Sequence, residues 1–68
     1  MAYEPPPRIE IKISPKPGYG YYWHLVDGRG TVRCWSGQGF DTDAEAQVDA
    51  DIAVALIRDP RLVIVPAM

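Results

Sequence analysis

Ile9, Ile11 and Ile13 alternate with Arg8, Glu10 and Lys12. That period of two is the mark of a half-buried strand, with β-branched residues on the core side. Pro15 and Pro17 end it, and Gly18 and Gly20 loosen the connection to the next strand. A second alternation over 21–26 sets Tyr21, Trp23 and Leu25 on one face and Tyr22, His24 and Val26 on the other. Asp27-Gly28-Arg29-Gly30 is a hairpin signal, because glycine accepts the positive φ that tight turns demand. Residues 31–36 return as a third strand. Val32, Cys34 and Ser36 share one face; Thr31, Arg33 and Trp35 share the other. Gly37-Gln38-Gly39 turns the chain out of the sheet.

The period then changes. Thr42-Asp43-Ala44-Glu45 reads as a capping box, with Thr42 as N-cap and Glu45 three residues on. Asp43 and Glu45 also suit the positive end of a helix dipole. Ala44, Val48, Ile52, Ala55 and Leu56 fall on one arc at helical spacing, and Asp59-Pro60 stops the helix. This arc is expected to pack on a sheet face made of Ile9, Ile11, Ile13, Trp23, Leu25 and Val32. The second half of the helix is apolar all round, so Val54 and Ile57, off the arc, need a second cover. The apolar tail 61–65 is the nearest candidate. It reads as a short fourth strand that pairs with the sheet edge or with another chain. Val54, Ile57, Leu62 and Ile64 are therefore the expected self-association residues. The predicted architecture is α+β: a three-stranded antiparallel sheet packed against one helix, with a candidate fourth strand (β-β-β-α-β). The predicted organisation is one domain over 8–65 behind a proline-rich extended arm, 1–7, whose Pro5-Pro6-Pro7 excludes helix and central strand.

Size and composition narrow the function. At 68 residues the chain is one domain at most, with a modest core. A hydrophobic fraction of 47% with two tryptophans is too apolar for a disordered chain. No apolar run approaches the roughly 20 residues that span a bilayer. The first residues have neither the basic nor the apolar region of a secretion signal. One cysteine, Cys34, excludes an internal disulfide and fits a reducing compartment, so the cytoplasm of the producer or of a host is expected. Net charge is −2, which argues against a phosphate-neutralising binder. The charge is also split, mildly basic up to Phe40 and acidic after it.

No catalytic constellation emerges from the pattern. His24 and Cys34 fall on opposite faces of the sheet, so neither a thiol–imidazole pair nor a metal site is expected, and no cofactor is implied. The acidic residues from Asp41 to Asp51 imitate a calcium loop, but Ala46 stands where its glycine belongs and Ile52 where its closing glutamate belongs. Gly18-Tyr19-Gly20 lacks the third glycine of a dinucleotide loop. The expectation is a protein without enzymatic activity.

What remains is the sheet face away from the helix, expected to present Tyr22, His24, Arg33 and Trp35 with Lys12 and its neighbours. Aromatic rings beside arginine are the composition of protein-interface hot spots, and also of base-stacking platforms. These five residues are the expected partner-binding site, with Trp35 at its centre.

Tyr21-Tyr-Trp-His-Leu25, Gly30-Thr-Val32, Ser36-Gly-Gln-Gly-Phe40 and Asp43-Ala-Glu-Ala46 together resemble the small bacterial YegP-like domain over residues 8–57. The resemblance implies the strand, strand, strand, capped-helix order and almost no function. Three strands and a helix opened by Gly39-Phe-Asp-Thr-Asp-Ala-Glu-Ala46 also look like the ethylene-response-factor DNA-binding domain and the arm-binding domain of phage integrases. Those insert a sheet with several arginines and tryptophans into the major groove. The match here falls on Arg29, Arg33 and Trp35 alone. The leading expectation is a protein-binding module, by analogy with small phage or mobile-element proteins that block a host defence complex. DNA binding through the sheet face is the rival.

Overall fold

The computed structural model describes residues 3–67. β1 (Arg8–Ile13), β2 (Tyr21–Val26) and β3 (Val32–Trp35) form an antiparallel sheet in that order, followed by one helix, α1 (Asp43–Ile57). The architecture is the α+β arrangement that the alternations predict. Residues 61–67 form no strand, so the fourth one is not made.

The β1–β2 register confirms the first two alternations. Ile9 pairs with Leu25, Ile11 with Trp23 and Ile13 with Tyr21, so all six share the face on which the helix lies. Ile13 shares that face but stays exposed, which corrects its expected place in the core. A neighbouring pair holds the chain ends of the sheet together. Tyr21 and Phe40 exchange two backbone hydrogen bonds, of 2.8 and 2.7 Å. Gly20 and Gly39 permit that approach, since a Cβ on either would collide with a backbone carbonyl of the facing segment, at Phe40 and Tyr19.

The third strand departs from strict alternation. Leu25 pairs with Cys34, but Val26 pairs with Val32, which leaves Arg33 as an extra residue in a β-bulge. The bulge carries Val32 to the outer side with Val26, and Val32 is half exposed, so its expected place in the helix-facing core is corrected. Cys34 stays on the helix side, half-buried, and His24 and Trp35 pair on the other.

The helix begins where the cap predicts. Thr42 is extended (φ −131°) and its Oγ1 accepts a hydrogen bond from the Glu45 N–H at 3.1 Å. Among the described residues the Glu45 side chain makes no return bond, so the box is half made. At the other end the Arg58 N–H donates to Val54, and Asp59 accepts from the Arg61 backbone and guanidinium while Pro60 bars a further turn.

The face that α1 buries is the principal surprise. Ala46 and Ala50 are buried beneath it, as is Trp23 on the facing strand, and Asp49, Ala53 and Val54 are half-buried on the same side of the helix. The Trp23 indole N–H donates to the Asp49 carboxylate at 2.7 Å, fastening helix to sheet. The predicted arc lies nearly opposite. Val48, Ile52 and Leu56 are 60%, 56% and 60% exposed, and Ala44 and Ala55 are exposed too. The physical reason is size. The Trp23 ring already fills the space between the layers, so the helix turns its alanines to it and its branched residues away. The expected contact of Ile52 with Ile11 is accordingly not made.

Candidate functional site

The outer sheet face is organised around one carboxylate. Glu10, in the middle of β1, sits beside Arg8 and Lys12 on its own strand and opposite His24 on β2. Its Oε2 accepts from the Arg8 Nε at 2.6 Å, and its Oε1 lies 2.7 Å from His24 Nε2 and 3.6 Å from Lys12 Nζ. An ionised carboxylate can only accept, so His24 carries its proton on Nε2. The His24 and Arg8 hydrogen bonds, against a smaller desolvation effect, hold the Glu10 carboxyl down to about 2 from the ordinary 4.5.

A second carboxylate organises the hairpin. Asp27 Oδ1 accepts from the Arg29 and Thr31 N–H groups at 2.9 and 3.0 Å, and Oδ2 accepts from Arg33 Nε at 2.8 Å. These bonds, the Thr31 N–H foremost, hold the Asp27 carboxyl below the usual range. Beside this hairpin the arm passes over Gly28, where a Cβ would collide with the Pro5 carbonyl and the Glu4 side chain. Glu4 and Pro5 thus lie at the hairpin end of the sheet.

Aromatic rings occupy the opposite end. Trp35 is 54% exposed. Tyr22 meets it edge to face, with centroids 6.4 Å apart and planes at 88°, and meets His24 at 6.0 Å and 75°. The edge-to-face geometry aligns the positive rim of one ring with the negative face of the next. Together with Ser14, Pro15, Lys16 and Tyr19, Tyr22 and Trp35 line an open hollow of about 360 Å³.

Of the five residues expected at the partner site, the structure joins three directly, keeps Lys12 beside them through Glu10, and turns Arg33 away. Tyr22, His24 and Trp35 form one contiguous cluster. Arg33 is turned to Asp27 and Lys12 to Glu10, so both cations are engaged within the domain. Pro15, Lys16 and Tyr19 were missed, because the segment reads as a connection. The signal was there in Tyr19, an aromatic residue held between two glycines. Of the expected self-association residues, Val54 is half-buried, whereas Ile57, Leu62 and Ile64 are exposed.

The thiol of Cys34 and the imidazole of His24 lie on opposite sides of the sheet, which leaves the pair unable to meet. Among the described residues no three His, Cys, Asp or Glu side chains converge as metal ligands, and no helix is long and apolar enough to cross a membrane. Set beside known protein families, curated proteins and solved structures, the chain finds no match, so its own residues carry the functional reading.

Proposed function

We propose that this chain is a non-enzymatic protein-binding module whose outer sheet face engages a protein partner inside a cell. One observation carries the reading: Trp35 stands half out of the surface, propped edge-on by Tyr22, at the rim of an aromatic hollow. A large ring braced by a neighbouring ring gives contact area at the cost of few rotatable bonds, which is the property of an interface anchor. Two aromatic planes at right angles with Pro15 beside them suit a flat ring, an aromatic side chain or a proline, presented on an extended segment. Lys16 at the rim favours a neighbouring acidic group.

The cations of this face support a protein partner over DNA. Arg8 and Lys12 share Glu10, and Arg33 is neutralised by Asp27, so the face keeps only a small net positive charge for phosphates. Blocking a host complex by occupying one of its surfaces, the role expected by analogy with phage and mobile-element proteins, needs nothing more than such a face. Self-association through the tail residues Leu62 and Ile64 belongs to the same reading, since both are exposed.

The test is Trp35→Ala. The ring lies outside the helix-facing core, so the thermal melt should hold, while affinity for a captured partner should fall at least about tenfold. A folded variant that keeps every partner would show this face to be idle. Arg33→Glu, with a salt series on nonspecific duplex, separates the rival: a DNA binder would lose affinity across all sequences and show a shallower salt slope.

A further inference from the structure

The solvent side of α1 carries a continuous apolar stripe, from Phe40 through Ala44, Val48, Ile52 and Leu56 to Leu62. Open hollows of about 400 Å³ lie at its two ends. Phe40, Ala44, Val48 and Ile52 line one, with Glu45 and Asp49 at its rim. Leu56 and Leu62 line the other, with Asp59 and Arg61. This surface is separate from the Trp35 face, which lies across the sheet.

We propose that the stripe is the interface of a two-fold homodimer, in which α1 packs antiparallel on α1 of a second copy with Ile52 at the axis. Three observations select a second copy as the occupant. First, charge along the stripe is self-complementary only in the antiparallel sense. Asp41, Asp43 and Glu45 surround its start; at its end Arg61 is paired with Asp59 at 2.8 Å, which leaves Arg58 as the net positive charge there. A two-fold axis through Ile52 sets each acidic end beside a basic end, and a parallel pair would set acid on acid. Second, the same operation brings Val48 opposite Leu56 and lays the Phe40 hollow of one copy against the Leu62 end of the other. The exposed tail residue Leu62 thereby supplies a knob for the partner's hollow, and Ala44 and Ala55 let the helices approach closely. Third, the single copy is short of core. Trp23, Val26, Ala46 and Ala50 are its buried hydrophobic residues, and it exposes 5677 Å². A compact monomer of this mass exposes about 4,300 Å². The surplus is shared between the exposed extended segments 3–7 and 61–67 and the stripe, and it exceeds the roughly 800 Å² per partner that a stable interface covers.

The geometry also explains why the helix turns its branched residues outward. In the dimer each helix is covered on both sides, by alanines against Trp23 within one copy and by Val48, Ile52 and Leu56 between copies.

Sedimentation of the full chain over a roughly hundredfold concentration range should show a reversible monomer–dimer equilibrium. Ile52→Glu places two like charges at the axis and should raise the dissociation constant at least about a hundredfold. Val48→Lys should act in the same direction, and neither should lower the melting temperature of dilute monomer, because both side chains are more than half exposed. Arg58→Glu should weaken the dimer, and combining it with Glu45→Lys should restore it, a rescue that only the antiparallel arrangement gives. Trp35→Ala should leave the equilibrium unchanged, which keeps this interface distinct from the partner face. A strict monomer at every concentration would overturn the proposal. So would a dimer indifferent to Ile52→Glu, or one that the charge exchange fails to restore.

Discussion

The two sides of α1 differ in the opposite sense from their hydrophobicity. The side that packs on the sheet offers Ala46, Ala50 and Ala53, and the side that meets solvent offers Val48, Ile52 and Leu56. Burial in this chain is decided by fit to Trp23 rather than by apolar content. A bulky ring and a hydrogen bond to Asp49 claim the interlayer space, and the buried helix residues that share it are alanines, with Val54 half-buried at the flank. An apolar arc is therefore evidence that a helix face will be covered, without being evidence of what covers it.

The sharpest way to break this comparison is to remove the ring. Trp23→Ala should cost about 3–5 kcal/mol, through lost burial and the cavity left behind. A domain of this size holds on the order of 5 kcal/mol in total, so the variant should be largely unfolded by circular dichroism. A cooperative melt near that of the wild type would mean that the alanines, not the ring, hold the helix.

Enlarging one side and reducing the other sets the two faces against each other. Ala50→Leu should destabilise by about 1–3 kcal/mol, because the added atoms have no room beside Trp23. Val48→Ser in dilute protein should change stability by less than about 0.5 kcal/mol. Denaturant midpoints measure both, and equal effects would erase the distinction between the sides. Thr42→Ala should act on both faces alike. It removes the acceptor for the Glu45 N–H and should cost about 1 kcal/mol, read as a lower melting temperature.

The smallest effect expected is electrostatic and confined to the outer sheet face. Glu10 has a lower carboxyl pKa folded than unfolded, so its contribution is fully present above 4.5 and is lost as the pH falls toward about 2. Glu10→Gln should flatten the acid limb of a stability–pH curve in that window. Its surface position, screened by solvent, keeps the effect modest. An unchanged acid limb would detach Glu10 from the stability of the face.

How legible all this was in the sequence depends on how local the cause is. The three strands and their order were legible because alternation and glycine turns act over a few residues. Thr42 was legible because a cap acts over three. The phase of α1 was not, since it depends on Trp23, a residue 26 positions away from its partner Asp49. Val32 was misplaced because the bulge at Arg33 shifts the alternation by one, and nothing in the types of residues 31–36 marks it. Arg33 is expected at the partner site by period alone, whereas its pairing with Asp27 six residues away follows only from the folded hairpin. The aromatic cluster was partly legible: Tyr22, His24 and Trp35 share a face by period alone, whereas Tyr19 reaches them only through the folded loop.

That bulge has a bearing on how the chain survives at high concentration. With the strand order β1-β2-β3, both β1 and β3 leave one row of backbone donors and acceptors unpaired, a template on which further chains can assemble into fibrils. β3 is only four residues long and is interrupted at Arg33, which makes it a poor template. β1 is longer, but Arg8, Glu10 and Lys12 place a charge at every second position along it. A strand added in register would stack like charges on like, so the sheet is guarded against open-ended growth on both sides by different means.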